Sequence, residues 1–94
     1  MTSAEFRKVI ENLHLVLIDL QKDRDKRPGI VEGQLEWVIY ERNGMLAAVN
    51  NLRETYGKEP VSIDDVCRVE SDASGHCDYT RKFGLYCAEL VAKD

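Results

Sequence analysis

The polar run Ser74-Gly75-His76-Cys77-Asp78-Tyr79 is the densest set of chemically capable side chains in the 94-residue sequence. His76 and Asp78 are types that serve as a base and its orienter, and Cys77 is the type that supplies a thiolate near a helix start. The free amides of such a start are also a place for an anion. Residues adjacent on a helix do not face each other, so this spacing forms no catalytic pair. Caps at Ser74 and Asp78, packing by His76 and Tyr79, and Cys77 as a small filler account for the run, and no catalytic residue is expected.

Arg42 is the second candidate. It falls within the apolar row of a long helix, where an unpaired buried guanidinium costs several kcal/mol. It therefore either snorkels or meets a carboxylate such as Asp19, Asp78 or Glu89, or it faces a pocket. In the pocket reading Arg42, His76 and Tyr79 bind a nucleotide or other anion. A nominal zinc set, Cys67, His76, Cys77 and Cys87, lacks the short paired spacing that presents two thiolates together, so neither a metal nor a cofactor is expected. The charged run Lys22 to Arg27 reads as a solvated connector, with Lys22, Arg24, Lys26 and Arg27 as its only route to an anion contact.

The elements that must hold these residues are helical. Thr2 and Glu5 stand at capping-box spacing before Phe6, Ile10, Leu13, Leu17 and Leu20, which recur at helical intervals. Leu15 and Ile18 fall outside this stripe and ask for a second contact. Pro28 and Gly29 interrupt the chain, and a central helix follows over about 31–56. Its apolar row is Val31, Leu35, Val38, Met45, Val49, Leu52 and Tyr56, and its length is about 39 Å at the usual rise. Its reverse side, Gly33, Trp37, Tyr40, Gly44, Ala47 and Asn51, joins aromatics to small residues, as a surface closely approached by another helix does. A hairpin through Asn43-Gly44 competes locally, but Met45-Leu46-Ala47-Ala48 favours helix.

Gly57 supplies a C-terminal cap and Pro60 blocks continuation. Ser62 opens a short third helix with Asp64 and Asp65 in its first turn and Val66 and Val69 as contacts. Glu70 to Gly75 reads as a loop. A last helix from near Ser74 or His76 carries Tyr79, Phe83, Tyr86 and Leu90, flanked by Cys87 and Val91. The long loop and the acidic neighbour of Arg81 and Lys82 argue against a helix-turn-helix reader.

The expectation is an all-α fold, a small helical bundle of two long, one short and one medium helix, as a single domain over 1–94. A net charge of −4 argues against broad nucleic-acid binding. Leu13 to Leu20 is too short to span a bilayer, and the opening residues lack a signal-peptide pattern. Three cysteines then read as reduced thiols in a cytoplasmic protein. The leading functional expectation is a non-enzymatic interaction or regulatory module with a protein partner, self-associating as a dimer through Trp37, Tyr40, Gly44 and Ala47. The alternative is the anion pocket of Arg42, His76 and Tyr79.

Overall fold

The computed structural model describes residues 1–27 and 35–94, which form four helices. Helix α1 spans Ser3–Asp25 and starts as its capping residues require. The Thr2 hydroxyl accepts the Glu5 N–H at 3.1 Å, while the Glu5 carboxylate accepts the Thr2 N–H at 2.9 Å. Helix α2 spans Leu35–Thr55, so the Asn43-Gly44 turn is not formed. Val31, Gly33 and the Pro28-Gly29 break lie outside the described residues. Gly57 ends the helix in the left-handed region at φ +70°, letting the Lys58 N–H reach the Arg53 carbonyl at 2.8 Å.

Helix α3 spans Ile63–Ser74, with the Asp65 carboxylate accepting the Ser62 N–H at 3.1 Å. The expected loop from Glu70 is therefore helical through Ser74. Val66, Val69, Glu70 and Ala73 bury one continuous face, and that packing outweighs the local turn preference of the serine and glycine residues. Helix α4 consequently starts later than expected, at Tyr79, and runs to Ala92.

Helices α2 and α4 touch each other and are flanked by α1 and α3, within an envelope of 40 × 23 × 23 Å. The centre is thus shared by α2 and α4. The core combines Val9, Leu13 and Leu17 of α1 with Met45 and Val49 of α2, Val66 and Val69 of α3, and Phe83, Cys87 and Val91 of α4. Among the described residues no helix is long and apolar enough to cross a membrane.

Polar side chains fasten this frame. Arg53, only 4 % exposed, donates to the carbonyls of Glu59 at 2.5 Å and of Leu90 and Lys93 at 2.6 Å each. It closes the end of α4, where carbonyls lack helical partners. Asn50 pairs with the Val61 backbone in both directions, at 3.1 and 2.8 Å, and fixes the entry to α3.

Candidate functional site

On the reverse side of α2, Trp37, Tyr40 and Gly44 are covered within the chain. Trp37 is buried 6.1 Å from the Tyr79 ring of α4, and the Arg24 guanidinium of α1 lies 4.7 Å over its indole. The Tyr40 hydroxyl donates to Asp23, and Arg27 stacks 4.8 Å over that ring. A Cβ on Gly44 would stand 2.6 Å from both terminal methyls of Leu20, so the close helix approach expected there is made by α1. Only Ala47 of the four expected interface residues is exposed. At Gly44 the close neighbour is a helix of the same chain, while Ala47 stays open to solvent.

The expected pocket is also rearranged. Arg42 pairs with the buried Glu70 of α3, its Nε donating at 3.0 Å to Oε1, and none of the three carboxylates anticipated is its partner. His76 is exposed and meets Tyr86 edge-on at 6.5 Å. Asp78 is held by Arg81, whose hydrogen bond keeps its carboxyl below the usual range. Cys67, Cys77 and Cys87 are unpaired, and burial pushes the Cys87 thiol up to about 12, far from thiolate reactivity. Among the described residues no group of His, Cys, Asp or Glu side chains is placed to hold a metal ion.

Tyr79 alone of the expected pocket residues lines an open recess of about 480 Å³ where α1, α2 and α4 meet. Helix α1 contributes His14, Gln21 and Arg24, α2 contributes Trp37, and Asp78, Tyr79, Thr80 and Arg81 bring the start of α4. Gln21 and Thr80 join the walls through a 3.2 Å hydrogen bond. No side chain caps α4, so its first-turn amides are left for water or a ligand.

Behind Arg24 and Tyr79 sits Glu41, 0 % exposed. Its Oε1 accepts the Tyr79 hydroxyl at 3.0 Å, and its Oε2 lies 3.8 Å from Arg24 Nη1. Burial pushes the carboxyl up to about 7, against the opposing pull of Tyr79 and Arg24. Burial, and then the charge of Glu41, drives the Tyr79 hydroxyl upward as well, so it remains a donor. Among the described residues, Glu41 Oε2 and Trp37 Nε1 are buried without a hydrogen-bond partner. Such atoms are costly in a core.

Sequence reasoning passed over Glu41, Gln21 and Thr80. For Glu41 a signal existed: Trp37, Glu41, Met45, Val49 and Arg53 recur every four residues, and all five are buried. Gln21 and Thr80 are 59 residues apart and carry no local mark of their meeting. The chain matches no protein-family model, no curated protein and no solved structure.

Proposed function

We propose that this protein is a non-enzymatic binding module whose groove takes a small anionic group, a carboxylate, sulfate or phosphate, alone or on a larger molecule. The observation that carries this reading is the convergence of donors on one recess. The start of α4, which has no side-chain cap, lines it with Arg24, Thr80 and Trp37, and the buried Trp37 indole N–H lacks a partner among the described residues. Helix-start amides and a guanidinium favour an acceptor-rich, negatively charged ligand. The anion reading thus moves from Arg42 and His76 to Arg24 and Thr80, with Tyr79 kept.

Trp37 is the single tryptophan, so its emission reports on the groove directly. Sulfate and phosphate titrations are expected to change that emission saturably, and Arg24→Gln to weaken binding about tenfold, the loss of one charged hydrogen bond. Unchanged emission and unchanged amide spectra up to high millimolar anion would refute the site.

Self-association through α2 is a second reading. Leu35 and Ile39 are 67 % and 44 % exposed, and Asn43 and Ala47 continue their row at four-residue steps. Light scattering on the eluting protein, with Ile39→Glu as the disrupting variant, tests it; a wild-type monomer at high concentration rejects a dimer. Three unpaired cysteines support a reducing, cytoplasmic setting for either reading.

A further inference from the structure

We infer that the groove binds its anion together with a proton, and that Glu41 is the group that takes the proton up. This rests on the anion-binding reading above and adds how that site is regulated.

Arg24 already donates its Nε and Nη2 to the exposed Asp25 carboxylate at 3.0 and 2.6 Å, so Asp25, Glu41 and an entering anion share one positive charge. Arg24 lines the groove, and its guanidinium lies 4.7 Å over Trp37 and 3.8 Å from the buried Glu41 Oε2. An anion entering the groove draws the guanidinium toward itself and places a negative charge near the carboxylate. Both changes remove the balance of a negative charge held out of water. Of the other groups facing Glu41, the Gln21 amide of α1 carries no charge and also donates to Thr80, and the rest supply no free positive charge. From α3 comes Glu70, a like charge already joined to Arg42, and from α4 comes the Tyr79 hydroxyl, which keeps its proton and donates it to Oε1. The remaining response is for Oε2, unpartnered among the described residues, to accept a proton from solvent. No other bond forms or breaks. Burial already holds this carboxyl at about 7, which puts the exchange in the neutral range.

Sulfate is the probe of choice, because its charge is constant from pH 6 to 8 and phosphate titrates there. With Trp37 emission as readout, the wild-type dissociation constant is expected to rise with pH, approaching about tenfold per pH unit above neutrality for one proton. Glu41→Gln is expected to bind sulfate with no such slope. His14 also lines the groove and is titratable, so His14→Gln must retain the slope. Absence of sulfate binding at every pH defeats the anion reading itself. Binding without a slope in wild type, or with the same slope in Glu41→Gln, overturns the proton inference and leaves the groove standing. If Glu41→Gln does not fold, calorimetry of the wild type in two buffers of different ionisation heat counts the protons directly. Zero uptake between pH 7 and 8 is the overturning result.

Discussion

Replacing Glu41 by Gln should stabilise the protein most where the carboxylate is charged. In the folded chain burial raises the carboxyl from 4.5 to about 7. The folded state therefore binds the proton more tightly than the unfolded state, and stability from this group is greatest below about pH 4.5 and lost as pH rises through about 7. At about 1.36 kcal/mol per pH unit the full span is about 3 kcal/mol, of which about 2.5 kcal/mol falls between pH 5 and pH 8. For a domain of this size, whose total stability is about 5–14 kcal/mol, that is a large share. Glutamine keeps the shape and a partner for Tyr79 while removing the titration. Urea unfolding of both proteins at pH 5, 6, 7 and 8 measures the difference. The stability of Glu41→Gln relative to wild type should grow by about 2.5 kcal/mol across that range. A difference that is constant with pH, or that is larger at pH 5, refutes the assignment of an uncompensated buried carboxyl.

Arg53→Met should cost about 3 kcal/mol or more, because it leaves the carbonyls of Glu59, Leu90 and Lys93 without their charged donor. Hydrogen exchange should quicken first in the last turn of α4, and a loss below about 1 kcal/mol would show that water replaces the arginine. Gly57→Ala and Gly75→Ala should differ in sign although neither added methyl meets an atom within 4 Å. At Gly57, φ +70° makes alanine cost about 1 kcal/mol, whereas Gly75 at φ −81° accepts alanine without strain and gains a few tenths from a stiffer unfolded chain. Equal effects in thermal unfolding contradict this backbone account.

Much of the frame was legible in local sequence. The Thr2–Glu5 box, the Ser62–Asp65 contact and the Gly57 cap act over a few residues, so the amino acids concerned state their own geometry. Apolar periodicity likewise identified the helical character of α1, α2 and α4 without knowledge of their neighbours. Leu15, expected to find a second contact, is 63 % exposed, since its helix is already packed along the other side.

What the sequence determined by itself was the set of helices and the presence of two unlike sides on α2. Tertiary structure decided what those sides mean. Leu20 of the same chain fills the space over Gly44, Glu70 takes Arg42, and Arg24 with Tyr79 closes over the buried Glu41. The physical reason is range. Capping and periodicity are settled within a turn or two, whereas the charge state and exposure of Glu41 depend on helices that begin some 40 residues away in either direction and meet only after packing. The groove beside Tyr79 is lined by neither Arg42 nor His76, and α1 brings Arg24 to it.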